Sequence, residues 1–273
     1  MFMGTDVTCM KETFTLQSVF LEREVIFDCY LPETYTNGQL ALLLINDGQD
    51  LERMPFEPIY CDFLQTSGVE LMCVGIHCAT DRKNEYGVVD VPDYKGRGAR
   101  AGLYSQFVLE ELLPFIRMQY KIQSFREKAF AGFSLGGLCA LSIVWKHPME
   151  FSMAGVFSGS LWWRSVAQEM PHFDEQKHLI MQQEIKKGHY YPWLRFFFEV
   201  GILDETADRN HNGVIDVIDD TVYLIGELYK KGYPEDRIQY LELPDGKHDV
   251  DTWAKAFPVF LQWAWGDPAR NKL

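Results

Sequence analysis

Long apolar runs are missing from this chain. Its most apolar stretch, Leu40 to Ile45, is far too short to cross a bilayer, so no membrane span is expected. Met1 to Cys9 has neither the basic segment nor the apolar core of a secretory signal. Cysteine is sparse and unpaired by motif: the six residues at 9, 29, 61, 73, 78 and 139 include no CxxC. Cys29, Cys73 and Cys139 lie in apolar segments, as small buried thiols do, and a reduced, cytoplasmic protein is the simplest expectation. Basic residues are in deficit, 26 against 39 acidic, for a net charge of −13. A sequence-independent nucleic-acid binder needs the opposite balance, so no nucleic-acid partner is expected. No Pro/Gly/Ser-rich linker, repeat or low-complexity tract divides the 273 residues, and one domain over 1–273 is the reading.

What is present is a regular alternation of strands and helices. Thr13 to Leu21 and Glu24 to Leu31 read as two early strands joined by a charged turn at Glu22-Arg23. The unbroken apolar runs Leu40 to Ile45 and Val69 to Ile76 read as strands buried on both faces. Further strands are predicted at Lys128 to Phe133, Phe151 to Phe157, Phe196 to Val200 and Ile238 to Leu243. Helical spacing marks Ala101 to Tyr120 (with Pro114 as a bend), Leu135 to Lys146, Asp219 to Lys231 and Val250 to Trp265. That alternation predicts an α/β fold, a mostly parallel central sheet with helices on both faces. In such a sheet, chemistry gathers just beyond the carboxyl ends of the strands.

Gly132-Phe133-Ser134-Leu135-Gly136 stands at one such end, directly after an apolar strand and directly before an Ala/Leu-rich helix. A serine in that strand-turn-helix context is held in a strained conformation that requires small neighbours, and is exposed as a nucleophile. The general base must follow it. His77 precedes it, His147 ends a helix, His172, His178 and His189 lie between strands, and His211 sits in an Asp/Asn-rich loop. His248, after the last strand and before the final helix, is the candidate base. The orienting acid should follow the intervening strand. Asp204 is preferred there, with Glu205 and Asp208 as rivals. The order Ser134, Asp204, His248 is that of an α/β-hydrolase fold. Oxyanion donors are expected from the Leu135 N–H and from the loop Asn46-Asp47-Gly48-Gln49-Asp50. Within that loop Gln49 is chosen over Gly48 and Asp50.

Taken together, Asn46 to Leu51, Gly132 to Gly137, Ser158-Gly159-Ser160-Leu161-Trp162-Trp163, and Gly246-Lys247-His248-Asp249 with Trp253 resemble the putative esterase family. That family spans esterase D, enterobactin-type siderophore esterases, feruloyl and acetyl xylan esterases and mycolyltransferases. The resemblance covers about Phe14 to Trp265, with an Asp-Gly-Gln loop where many members carry His-Gly. It implies hydrolysis of a small-molecule carboxylic ester without a catalytic cofactor, on sugar-linked or siderophore-type substrates, and supports His248 more firmly than Asp204. Resemblance and strand position together put one of Trp162 and Trp163 near the pocket mouth; adjacent aromatics serve equally well as core packing. Arg82, Glu85, Tyr86 and Arg97 to Arg100 form a polar insertion that either walls the pocket or is solvated, and Arg97 and Arg100 are candidates to meet an anionic substrate.

A second pattern lies just beyond Asp204. Asp208 to Asp219 follows the D-x-[DN]-x-[DN]-G calcium-loop spacing. Asp208, Asn210 and Asn212 would supply side-chain oxygens, Val214 its carbonyl and Asp219 the closing carboxylate around a structural Ca2+. An Asx-rich surface turn has the same composition. The expectation from the sequence is therefore a serine esterase acting through an acyl-enzyme. An acyltransferase and a non-catalytic binding protein on the same fold are the rivals.

Overall fold

The computed structural model describes residues 9–266; the segment Met1 to Cys9, read above for a secretory signal, falls almost wholly outside them. The strands are β1 (Cys9–Ser18), β2 (Arg23–Pro32), β3 (Ala41–Asn46), β4 (Leu71–Ile76), β5 (Lys128–Phe133), β6 (Met153–Phe157), β7 (Arg195–Leu203) and β8 (Ile238–Lys247). They form one sheet in the order β1-β2-β4-β3-β5-β6-β7-β8. β1 and β2 form an antiparallel hairpin, β2 meets β4 antiparallel, and β3 to β8 run parallel. This is the α/β-hydrolase arrangement that the alternation predicts. Burial explains the order. β3, β4, β5 and β6 are buried almost end to end, as strands covered on both faces must be, whereas β1 exposes most of its residues at the sheet edge.

The helices are α1 (Phe56–Ser67), α2 (Arg82–Glu85), α3 (Ala101–Gln106), α4 (Leu113–Gln119), α5 (Leu135–Lys146), α6 (Glu175–His178), α7 (Ile180–Lys187), α8 (Asp216–Lys231) and α9 (Val250–Trp265). Two apolar cores flank the sheet. One lies under α1 and α9, the other under α3, α4, α5, α7 and α8. No helix among the described residues is long and apolar enough to cross a membrane.

Three expectations change. The helix read over Ala101 to Tyr120 is interrupted by a π-turn at Phe107–Leu112, closed by the Leu113 N–H on the Val108 carbonyl. Pro114 has no N–H to donate to the preceding turn and its ring crowds that turn's carbonyl, so the wider turn accommodates it. Next, β8 runs through Pro244 to Lys247 rather than stopping at Leu243. It is an edge strand, where a missing N–H costs no ladder bond. Finally, the cysteines are not all free thiols. Cys9 of β1 and Cys61 of α1 form a disulfide, while Cys29, Cys73, Cys78 and Cys139 are free.

Glycines set the closest approaches. A Cβ on Gly48 would lie 2.3 Å from the Gly75 carbonyl carbon, so the loop after β3 rests directly on β4. A Cβ on Gly201 would lie 2.4 Å from the Gly246 carbonyl carbon, at the register shift where the end of β8 folds over β7. Gly48→Ala is expected to lose about 1–3 kcal/mol through overpacking. Gly226→Ala, inside α8 with nothing near its Cβ direction, is expected to gain about 0.5–1 kcal/mol. Guanidinium unfolding of the two variants checks both signs, and a Gly48→Ala protein as stable as wild type contradicts the contact.

Candidate active site

β5 delivers the chain into the elbow at Ser134, whose φ of 54° and ψ of −122° are unfavourable for a side-chain-bearing residue. Contacts on both sides hold it there. The Ser134 N–H donates to the Phe157 carbonyl at 2.8 Å, and Gly132 and Gly136 touch so closely that a Cβ on Gly132 would lie 2.4 Å from the Gly136 carbonyl carbon. α5 starts at Leu135, whose N–H belongs to the open, positive end of that helix.

The Asn-Asp turn after β3 is tied to the elbow. Asn46 donates its side-chain amide to the Gly136 carbonyl at 2.8 Å and accepts from the Tyr104 hydroxyl at 2.6 Å. Asp47, at φ 62° and buried, points its carboxylate at Gly136 and receives both arms of Arg82 at 2.7 Å. Arg82 also reaches the Phe133 carbonyl at 3.3 Å, so this residue of the polar insertion supports the elbow and does not wall a pocket. Gln49 lies in the 3-10 turn Gly48–Glu52. Its side-chain oxygen accepts the Cys78 N–H at 3.0 Å, which fixes the loop. The first bond of the turn runs from the Asp50 N–H to the Asp47 carbonyl, which leaves the Gln49 N–H at the turn's open end.

Ser134, Asp204 and His248 line one cavity of about 310 Å³, together with Ser158, Ser160 and Trp162. Asp204 Oδ2 lies 3.8 Å from His248 Nδ1; the carboxylate is buried and the imidazole is partly exposed. The His248 ring meets Trp253 edge-on at 5.5 Å. The Ser134 hydroxyl lies 3.4 Å from that of Ser160. Of the rival acids, Glu205 also borders the cavity, but its carboxylate accepts the Val217 N–H at 2.7 Å in the first turn of α8. Burial raises its pKa, which does not suit an acid that must stay ionised. Asp208 is spent within its own loop, as described below. A larger groove, about 620 Å³ between α1 and α9 and lined by Ile59, Phe63 and Pro258, is remote from these groups.

Trp162 and Trp163 part company. Trp162 borders the cavity, whereas Trp163 is fully buried against Gly87 and Gly98 and donates to the Val91 carbonyl at 3.3 Å. Trp163 is therefore core and does not line the cavity. Arg97 is held by Asp93 and stacks over Trp162, and Arg100 donates to the Leu21 carbonyl at 2.8 Å, so both guanidiniums have structural partners. Arg164, not singled out from the sequence, lies over the rings of Trp162, Tyr94 and Phe173.

The Asp208 loop closes on itself. Asp208 accepts from the N–H groups of Asn212 and Gly213 at 3.1 and 3.0 Å, and Asn212 Oδ1 accepts from Val214 N–H at 2.7 Å. The side-chain amides of Asn210 and Asn212 both donate to Asp219 Oδ2 at 2.9 Å, so the third and fifth positions of the loop meet its last one. Side-chain oxygens of this kind are the ligands a hard cation takes, and here they accept backbone N–H groups of the loop instead. Only two carboxylates contribute, however, and no group of three or more His, Cys, Asp or Glu suited to a metal occurs among the described residues. The neighbouring Arg209, unremarked in the sequence, is buried in ion pairs with Glu175, Asp216 and Asp220 that dock the loop on α6 and α8.

Glu199 was also missed. It sits on β7 without exposure, and burial, reinforced by the charge on Asp204, pushes its pKa up to about 8. The one signal for it was a carboxylate inside the apolar run Phe196-Phe197-Phe198-Glu199-Val200.

Comparison with known proteins gives a family and a fold. The family model described as Putative esterase matches residues 18–264. An uncharacterized protein of Bacillus subtilis (strain 168), YbbA, is 23% identical over 247 residues, covering 88% of this chain and 92% of that one. Among solved structures, a ferulic acid esterase superposes with a TM-score of 0.69 at 20% identity, covering 95% of this chain and 98% of the other. The enterobactin esterase of Shigella flexneri gives 0.67 at 20% identity over 92% of this chain. The chain spans only 58% of that enzyme's length. A siderophore hydrolase of Aspergillus nidulans gives 0.66 at 17% identity, covering 94% and 96% of the two chains.

Arg82→Ala leaves the Asp47 carboxylate buried beside the elbow without its partner, and a loss of about 3 kcal/mol is expected. Chemical denaturation measures it. A variant within experimental error of wild type removes Arg82 from the scaffold.

Proposed function

We propose, from the premise that the chain belongs to the Putative esterase family of carboxylic ester hydrolases, that Ser134 is its nucleophile, His248 its general base and Asp204 its orienting acid. The observation that carries this is the convergence of the three on one cavity, with the serine in the strained elbow. Ser134 Oγ attacks the ester carbonyl as His248 takes its proton. Asp204 accepts from the Nδ1 side of the ring and stabilises the imidazolium. The 3.8 Å separation closes to hydrogen-bond length as the ring becomes charged, since such contacts tighten in the reacting complex. The Leu135 N–H and the Gln49 N–H receive the oxyanion, and His248 returns the proton to the departing alcohol. Water, deprotonated by the same imidazole, then releases the acid from Ser134.

The substrate class is read from the cavity wall. A half-exposed Trp162 backed by the guanidiniums of Arg97 and Arg164 favours an aromatic acyl group stacked on the indole. Feruloyl-type sugar esters and catechol-type siderophore esters both carry one. We also propose that Asp208, Asn210, Asn212, the Val214 carbonyl and Asp219 hold a structural Ca2+ that braces the loop following Asp204, with no part in the chemistry.

Ser134→Ala is expected to abolish turnover of p-nitrophenyl acetate and of feruloyl and catecholate esters. Asp204→Asn should lower kcat by about 10⁴-fold, whereas Glu205→Gln should lower it less than about tenfold. Activity that survives Ser134→Ala unchanged refutes the mechanism and leaves a non-catalytic binding protein. Acyl transfer to added alcohol that outruns hydrolysis identifies an acyltransferase. For the metal, calorimetry is expected to show Ca2+ binding to wild type and none to Asp208→Ala; no heat with wild type ends that proposal.

A further inference from the structure

β7 carries Phe197, Glu199 and Gly201 on one face, because alternate residues of a strand share a side. That face lies under α9, where Phe197 packs on Phe260 and Trp263. Gly201 leaves its side-chain space empty, and Asp204 fills it. After the turn closed by the Asp204 N–H on the Gly201 carbonyl, Asp204 Oδ1 comes within 2.7 Å of where a Gly201 Cβ would be. The two oxygens of Asp204 thus face different ways. Oδ2 looks toward His248, and Oδ1 lies over the face of β7 that Glu199 occupies one alternate position earlier.

Both carboxyl groups are buried, and none of their four oxygens has a hydrogen-bond partner among the described residues. Two ionised carboxylates on one buried face repel each other, and a proton kept by one of them relieves that repulsion. The surroundings select which. Asp204 borders the cavity and the imidazole, whereas Glu199 has no exposure to solvent. The groups facing Glu199 from neighbouring elements do not neutralise it. β6 presents the Ser158 hydroxyl, which accepts from Trp253 Nε1 at 3.0 Å and only weakly opposes the rise in the Glu199 pKa. β8 contributes Tyr240, itself a weak acid, and α9 contributes the uncharged Trp253. Arg195, lower on the same face, gives its guanidinium to the carbonyls of Trp263 and Ala264.

We propose that Glu199 is a positioning residue which, in its protonated form, donates a hydrogen bond to Asp204 and holds that carboxylate, ionised, against His248. Its proton stays with the pair throughout the reaction and no bond to substrate forms. The inference rests on the assignment of Asp204 and His248 to the proton relay. When Glu199 ionises, the donor is lost and a second negative charge appears beside the first. Asp204 is then released from its fixed orientation, and activity falls on the alkaline side.

The test is the pH profile of kcat and KM for p-nitrophenyl acetate in wild type, E199Q and E199L. Wild type is expected to show an alkaline limb centred near the Glu199 value of about 8. In E199Q, whose amide donates at every pH, that limb is expected to vanish or move up by at least about one unit, with KM unchanged. E199L, of similar bulk without a donor, is expected to lose about a hundredfold in kcat throughout. An unmoved alkaline limb in E199Q overturns the proposal, as does an E199L profile matching that of E199Q. Ser134→Ala separates the two levels: residual turnover there fails the triad, whereas an unmoved limb with a dead Ser134→Ala fails Glu199 alone.

A stability readout covers variants too damaged for kinetics. Because the folded pKa lies above the ordinary carboxylate value of 4.5, the folded state keeps a proton that the unfolded chain gives up. Stability from this group is therefore lost as pH rises from about 4.5 to 8 and changes no further above that. The melting temperature of wild type should fall more steeply than that of E199Q across this window. Parallel curves overturn the proposal.

Discussion

The contact between Gly132 and Gly136 is the constraint on which the rest of the site depends. A left-handed serine at the mouth of a parallel sheet is costly, and it persists because the surrounding backbone leaves it nowhere else to go. β5 and α5 approach without side chains between them, the Ser134 N–H is taken by β6, and Asp47 and Asn46 close the remaining side. Each support comes from a different strand end. Ser134 is therefore located by the sheet as a whole, and Arg82, distant in sequence from the elbow, matters because it neutralises the carboxylate pressed against it.

The carboxylate and imidazole of the cavity are placed by a different logic. Asp204 and His248 follow neighbouring strands, β7 and β8, and the Gly201–Gly246 contact folds one strand end across the other. Burial of Asp204 keeps water from its carboxylate, whose oxygens find no hydrogen-bond donor among the described residues. Glu199 and Ser158 are the polar groups that share that place. A triad drawn as three residues leaves out the volume in which the third is embedded.

Much of this was legible in the sequence, and the limits have physical causes. Ser134 could be read because an elbow demands glycines at fixed offsets between a strand and a helix, and His248 because it follows the last strand. Asp204 could be preferred but not separated from Glu205, and the contact that engages Glu205, a hydrogen bond from Val217, lies twelve residues further on. Trp162 and Trp163 are identical neighbours in sequence, and only the direction of each ring decides that one meets the cavity and the other the core. The π-turn before Pro114, the Cys9–Cys61 pairing and the burial of Arg209 depend on contacts between distant segments, which local pattern does not encode. Glu199 was visible as an oddity in an apolar strand; its meaning required knowing that Gly201 makes room for Asp204.

The division of labour between strand ends has an evolutionary consequence. Asp204 and His248 directly follow β7 and β8, which two glycines lock together, while the cavity wall bearing Trp162 follows β6 and the insertion bearing Arg97 follows β4. Loops after β4 and β6 can lengthen, shorten or change charge without altering the spacing between Asp204 and His248. Selection acting on those rims would leave that spacing intact, so the wall of the cavity and the Asp204–His248 pair are free to change separately.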